Sequence, residues 1–249
     1  MGSRLGFGVD IGGSGVKGAI VDLEAGTLAS ERIRIDTPQP STPEAVAKVV
    51  EDIVRQSEWN GPVGVTLPAV VKHGTSLTSA NIDKSWRGTD AEALFRKQLG
   101  VEVTVLNDAD AAGIAEMRYG SKVDTHGVVL LLTFGTGIGS ALFVDGTLVP
   151  NTELGHIEVD GHDGESRAAA SVRENKDLSW HEWAERVSRY IQALERVLWP
   201  DLIIAGGGVS KKADKWLPLL DVRTKVVPAE LRNDAGIVGA AVAATGGLD

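Results

Sequence analysis

The sequence predicts an α/β protein made of two similar halves. Three observations carry that expectation. Short apolar runs alternate with stretches of helical spacing, a pattern of strand, glycine turn and strand occurs near residue 10 and again near residue 135, and carboxylates or glycines stand where several apolar runs end. A chain of 249 residues allows one large domain or two lobes.

The first of these units is Gly6–Gly18. Apolar Leu5–Val9 leads to Asp10, the chain turns through Gly12, Gly13 and Gly15, and a second apolar run follows. Glycine lets a phosphate approach backbone N–H groups with no Cβ in the way, and Asp10 at a strand end suits Mg²⁺ held through waters. An ordinary hairpin with Asp10 as its turn residue explains the same residues. A Walker A loop does not, because Lys17 is followed by Gly18 and a strand.

Leu5–Val9, Ala19–Leu23 and Glu31–Ile35 read as successive strands. A proline-rich loop follows, and then a helix from Pro43 or Glu44 to about Glu58 with Val46, Val49, Val50, Ile53 and Val54 on one face. Strands Val63–Leu67 and Val101–Leu106 flank the loop Ser79–Asp83 and a helix Asp90–Leu99. The carboxyl ends of such strands line ligand crevices in open α/β sheets, which points to Asn107 and Asp108. A helix rich in small residues then runs from Asp108 to about Tyr119.

The second half repeats the opening, with Val128–Thr133, a turn through Gly135, Thr136 and Gly137, and Ser140–Val144. Asn151–Lys176 has little apolar periodicity, carries Glu153, His156, His162 and Glu165, and reads as a long functional loop. Leu178–Trp199 is the longest helix, Leu202–Ala205 a buried strand that meets Gly206-Gly207-Gly208, and Ser210 a cap for a helix Lys211–Leu217. Strand Val222–Val227 and a helix Asp234–Thr245 complete the chain.

Twenty-five basic against 34 acidic residues give a net charge of −9, which argues against non-specific nucleic-acid or anionic-membrane binding. With no cysteine there is no disulfide, thiol nucleophile or cysteine-based zinc site. No apolar run approaches the roughly 18 residues of a membrane span, and no signal peptide is evident, so a cytoplasmic protein is expected. Three glycine turns with strand-end carboxylates suit phosphoryl transfer, and no nucleophile elbow signals a hydrolase. Asp108 is then the natural base, or else a helix cap without chemistry. Glu153, His156 and Glu165 suit hydrogen bonds to vicinal sugar hydroxyls; a metal held by His156, His162 and neighbouring carboxylates is the rival reading.

Eight segments together are similar to the ROK family of sugar kinases, most closely its polyphosphate-using branch. They are Val9–Asp22, Ser79–Trp86, Asn107–Gly113, Thr133–Ala141, Glu153–His156, Gly161–Ser166, Ala205–Ser210 and Arg232–Ala241. The resemblance implies the actin-like ATPase (ribonuclease H-like) fold with two lobes around a central cleft: a smaller lobe 1–108, onto which helix 234–249 packs back, and a larger lobe 109–233. It implies transfer of a phosphoryl group from inorganic polyphosphate, and also from ATP, to the glucose 6-hydroxyl. Asp108 is then the base, and Asn81, Asn107, Glu153, His156 and Glu165 bind the sugar. Gly12, Gly13, Ser14 and Lys17 form the first phosphate segment, Gly135, Thr136 and Gly137 the second, and Gly207 and Gly208 belong to a third. Asp10 is associated with Mg²⁺, and a homodimer is expected.

Two departures from the family pattern stand out. Asp160–Arg173 lacks the cysteines that hold zinc in many members, so no structural zinc is expected, and Thr66-Leu67-Pro68-Ala69 replaces a Gly-x-Pro-Gly turn. Lys17, Lys84, Arg87, Arg167, Arg173, Lys176, Lys211 and Lys212 fall in or beside the site loops, where some can track a polyanion. An ATP-dependent hexokinase acting on glucose, mannose or another hexose is the near alternative. Sugar-responsive regulators of the family carry a helix-turn-helix ahead of the first strand, which Leu5 is expected already to open. A sugar-binding protein without catalysis is disfavoured by Asp10 and Asp108.

Overall fold

The computed structural model describes residues 4–120 and 126–246. In chain order the strands and helices begin with β1 Leu5–Ile11, β2 Val16–Asp22, β3 Thr27–Leu28, β4 Ile33–Ile35, α1 Pro43–Gln56, β5 Val63–Leu67, β6 Val71–Lys72, β7 Thr75–Ser76, α2 Ala91–Leu99, β8 Val103–Asn107 and α3 Asp108–Tyr119. They continue with β9 Val128–Phe134, β10 Ile138–Val144, β11 Thr147–Val149, β12 Glu158–Val159, β13 His162–Asp163, α4 Glu165–Ala168, α5 Ala170–Asn175, α6 Trp180–Leu198, β14 Leu202–Gly206, β15 Lys225–Pro228 and α7 Ala235–Ala244. Among the described residues no helix is long and apolar enough to cross a membrane.

The chain divides into two compact units, one holding the residues up to Tyr119 and those from Asp234 onward, the other Gly120–Asn233. In the first, the sheet order is β3-β2-β1-β5-β8, with β4 also on β2; β1 and β2 are antiparallel, while β1, β5 and β8 are parallel. Its period-2 alternation sorts the two faces. Phe7, Val9 and Ile11 join Val46, Val50 and Ile53 of α1 in the core. Gly8 faces the other way, against α7, and a Cβ on Gly8 would lie 1.9 Å from the Ile237 carbonyl oxygen. On β5 a Cβ at Gly64 would lie 1.8 Å from that of Ala240, so these glycines let α7 rest directly on the strands.

The expected boundary at Asp108 is displaced to Tyr119, because α3 packs on α7. A Cβ on Gly239 of α7 would sit 1.7 Å from the Ala111 carbonyl oxygen of α3, and the Tyr119 hydroxyl donates to the Leu23 carbonyl at 2.8 Å. The N-terminal unit is therefore the larger one, opposite to expectation. Residues 247–249 of the expected last helix lie outside the described residues.

The second unit repeats the strand arrangement as β11-β10-β9-β14-β15, again antiparallel between the first two long strands and parallel afterwards. A shared local order of strand, glycine turn and strand produces that likeness. Trp183, Val187, Ile191 and Leu194 of α6 cover Leu130, Leu132 and Phe134 of β9, and Trp216 closes the cluster with its ring 4.9 Å from Trp183 and 5.7 Å from Phe134.

Two further expectations change. The supposed loop Asn151–Lys176 contains β12, β13, α4 and α5, elements too short for a periodic signal. The expected helix Lys211–Leu217 is a 3₁₀ segment, Gly208–Lys215, so Ser210 lies inside it rather than capping it.

Candidate active site

The carboxyl-terminal ends of the first unit's strands carry Asp10 on β1 and Asn107 on β8. Asp10, near the end of β1, pairs in register with Thr66 on β5 and Lys17 on β2, and Lys17 with Arg34 on β4. Register partners project to one face, so Thr66, Asp10, Lys17 and Arg34 form a row across four strands. Asp10 Oδ1 accepts the Thr66 hydroxyl at 3.0 Å, and Oδ2 lies 3.5 Å from Lys17 Nζ. A Cβ on Gly236, in the first turn of α7, would lie 3.1 Å from the Asp10 carboxyl, so the carboxylate rests against that helix's N-terminus, which favours negative charge. One carboxylate on a row that a phosphate can share fits Mg²⁺, which takes few carboxylates and keeps waters.

Beyond this row the first glycine turn is closed by the Gly12 N–H donating to the Gly15 carbonyl at 3.0 Å, and the Thr37 hydroxyl donates to the Gly12 carbonyl at 2.5 Å. Asn81 is brought to this turn: a Cβ on Gly13 would lie 2.8 Å from the Asn81 carbonyl oxygen. Arg34 covers the turn from the other side, as the sequence reading did not foresee. Its Nη2 donates to the Ser14 carbonyl at 3.1 Å, its Nη1 to Asp36 at 2.6 Å, and its Nε would lie 2.8 Å from a Cβ on Gly15. The alternation Ile33-Arg34-Ile35 was the available signal; the register with Lys17 was not readable from it.

Asn107 and Asp108 stand where β8 passes directly into α3. Asn107 is buried; its Oδ1 accepts from the Ala109 and Asp110 N–H groups at 2.8 and 3.1 Å, and its Nδ2 donates to Ala69 at 3.1 Å. Asn107 is therefore the α3 cap, and it ties the turn at Ala69 to the helix start. Asp108, the residue after the cap, is partly buried and accepts the Ala109 N–H at 2.9 Å. Trp86, expected in a site loop, is instead fully buried beside Phe95, with its indole donating to Ser41. Of the neighbouring cations, Arg87 donates to Ser79 at 3.2 Å.

In the second unit Glu153, His156 and Glu165 come together, joined by Asp163. The 3₁₀ turn Leu154–His156 is fastened to β10 by the Ser140 hydroxyl, which accepts from the Leu154 N–H at 3.0 Å. Gly155 lies so close to β10 that a Cβ would be 2.2 Å from the Ile138 carbonyl. The His156 Nδ1–H donates to Asp163 Oδ2 at 2.9 Å, which leaves Nε2 facing Glu153 at 4.0 Å. The Asp163 hydrogen bond holds the His156 pKa above its ordinary value, against partial burial, with the Glu165, Asp163 and Glu153 charges adding to it. Burial pushes Glu153 upward, assisted by Glu165 and opposed by His156. Asp163 was missed in the sequence because its spacing from His156 matches no helical or strand period.

Glu165 connects this group to the second glycine turn. Its Oε2 accepts the Ile138 N–H at 2.9 Å and lies over Gly137, where a Cβ would be 2.3 Å away. The Gly135 N–H bonds the Gly137 carbonyl, and Ser171 of α5 fastens the turn through its N–H to Gly135 and its hydroxyl to Thr136 at 2.7 Å. Gly207, with φ of 82°, ends the neighbouring strand β14, where a Cβ would lie 2.2 Å from the Phe134 carbonyl. The second and third glycine segments thus sit side by side. Arg173 lies over the Trp180 ring at 3.8 Å. His156, Asp163 and Glu165 offer ligand atoms within 4.8 Å of one another, a mixed set that can also hold a cation; His162 stands outside it, bonded to Asp160.

The two units thus hold exposed hydrogen-bond acceptors, closed glycine turns and strand-end carboxylates. The chain belongs to the ROK family, whose model matches residues 6–170, and it has the α/β fold of ROK kinases, the actin-like ATPase fold. Among known proteins it is 58% identical over 96% of its length to a polyphosphate glucokinase of Mycobacterium tuberculosis, covering 91% of that protein. It superposes on the inorganic polyphosphate/ATP-glucomannokinase of Arthrobacter sp. strain KM with a TM-score of 0.91 at 51% identity, covering 98% of this chain and 99% of that one. A ROK family glucokinase from Streptomyces griseus, solved with glucose and AMPPNP, superposes with a TM-score of 0.83 at 25% identity, covering 98% and 100%.

Proposed function

We propose that the protein phosphorylates glucose at its 6-hydroxyl, with inorganic polyphosphate and also ATP as donor. What supports this reading is the 58% identity to a polyphosphate glucokinase, together with Asp10 beside its glycine turn and Asp108 at the head of α3. Asp108 takes the proton from the 6-hydroxyl as its oxygen attacks the terminal phosphorus, and the bond from that phosphorus to the bridging oxygen of the donor breaks. Lys17 and the N–H groups of the glycine turns meet the phosphate charge, while Glu153, His156 and Glu165 accept from and donate to sugar hydroxyls. Asn107 acts by holding Asp108 and the Ala69 turn in place. Asn81, beside Gly13, belongs with the sugar contacts in this reading. Mg²⁺, held at Asp10 through waters, would neutralise donor charge.

Mannose is a second acceptor in this reading, supported by the name of the Arthrobacter relative. A homodimer rests on family likeness and a cytoplasmic location on the sequence reading; light scattering after size exclusion tests the former. Initial rates of glucose 6-phosphate formation with Mg²⁺, using ATP-free polyphosphate and polyphosphate-free ATP in separate reactions, test the function. The expected result is turnover with both and the higher kcat/KM with polyphosphate. Turnover with ATP alone would leave a family hexokinase and remove polyphosphate.

A further inference from the structure

We propose that Arg34 is a positioning residue for the phosphoryl donor, acting through the first glycine turn; this rests on the kinase reading above. Its guanidinium forks between the Ser14 carbonyl at 3.1 Å and the Asp36 carboxylate at 2.6 Å, and its plane lies so close to Gly15 that a side chain there would collide with it. An arginine fork is a rigid two-point fastening; a lysine ammonium on a flexible stem cannot reproduce it.

In a trans peptide the C=O and the following N–H point to opposite sides, so drawing the Ser14 carbonyl toward Arg34 turns the Gly15 N–H away from it. The same hydrogen bond withdraws a carbonyl dipole that would otherwise oppose an approaching phosphate. Arg34 also stands next to Lys17 in the row that passes through Asp10 to Thr66, so two cations flank the turn across neighbouring strands. Two like charges directly opposite on a sheet disfavour each other, and here each has its own carboxylate, Asp10 for Lys17 and Asp36 for Arg34. The row keeps both cations beside the glycine turn with their mutual repulsion offset. An anion with several charges, such as a phosphate chain, is the ligand class that fits it.

The test uses the full chain with Arg34→Ala and Arg34→Lys. Titration calorimetry with inorganic tripolyphosphate, in the absence of glucose, reads donor-side affinity without turnover. Both variants should bind it about tenfold or more weakly, the scale of one charge-assisted hydrogen bond. The glucose KM should stay within twofold and the Tm within a few degrees. Equal tripolyphosphate affinity in wild type and Arg34→Ala, or no binding by the wild type, would overturn the assignment. Wild-type affinity in Arg34→Lys would also overturn it, since charge without the fork would then suffice. A parallel loss of both affinities together with a lower Tm would mean a merely structural role. Wild-type turnover is scored separately: its absence with either donor sinks the kinase reading while the tripolyphosphate comparison still decides Arg34.

Discussion

Asp108 carries the sharpest single-residue expectation. Asp108→Asn keeps an oxygen to accept the Ala109 N–H, so the start of α3 survives. The carboxylate's capacity to take a proton is lost. The kcat should fall roughly 10²–10⁴-fold with glucose affinity within a few-fold; near-normal turnover would remove Asp108 as the base. Glu153 sets a pH limit by its raised pKa. Protonation removes an acceptor for sugar hydroxyls, so glucose affinity should weaken as pH falls through a value above the ordinary 4.5, and Glu153→Gln should flatten that limb in calorimetric titrations. His156 works in the other direction. Its folded pKa lies above 6.5, so the stabilisation from the Asp163 pair is fully present below 6.5 and is lost as pH rises through the higher folded value. Melting curves of wild type and Asp163→Asn should therefore differ at pH 6 and converge at alkaline pH; a constant gap would mean that Asp163 stabilises by some other contact.

Between elements, the decisive contacts are made by glycines with no room for a Cβ. Helix α7 is buried on nearly every residue and meets α3, β1 and β5 through Gly8, Gly64 and Gly239. Gly239→Ala would place a methyl 1.7 Å from the Ala111 carbonyl. The helices must separate, at a cost of about 1–3 kcal/mol or more for overpacking. In a chain of this size that lowers Tm by roughly 2–12 °C, which calorimetry measures. An unchanged Tm would mean that α3 and α7 are less tightly packed than described. In the second unit the same logic holds Gly155 and Gly207 in place, and through them the turns that carry His156 and Thr136.

For the chain as a whole, the net charge of −9 and the polyanionic donor pull in opposite directions. Attraction between local cations and polyphosphate is screened over a Debye length of about 8 Å at 0.15 M salt, whereas hydrogen bonds to a neutral sugar are not. The polyphosphate KM should therefore rise steeply between 50 and about 300 mM salt while the glucose KM holds nearly still. A polyphosphate KM independent of salt would argue against a cationic donor site. The C-terminal segment is also expected to be indispensable. Removing residues from Ala235 onward strips α7 from β1, β5 and α3 and should leave a chain that does not melt cooperatively; a cooperative transition at the original Tm would contradict that role.

Short-range chemistry made much of this legible in advance. The apolar runs, the glycine turns, Asp10 and Asp108 at strand ends, and the α1 and α6 stripes follow from neighbouring residues, and the structure places them close to where periodicity put them. Long-range pairing was not legible. Arg34 reaches the first glycine turn through strand register, Asp163 reaches His156 through a two-residue hairpin, and α3 belongs with α7 rather than with the second unit. Local periodicity reports which face of an element is apolar, but register and the choice of packing partner depend on contacts between distant residues, which only the folded chain brings together.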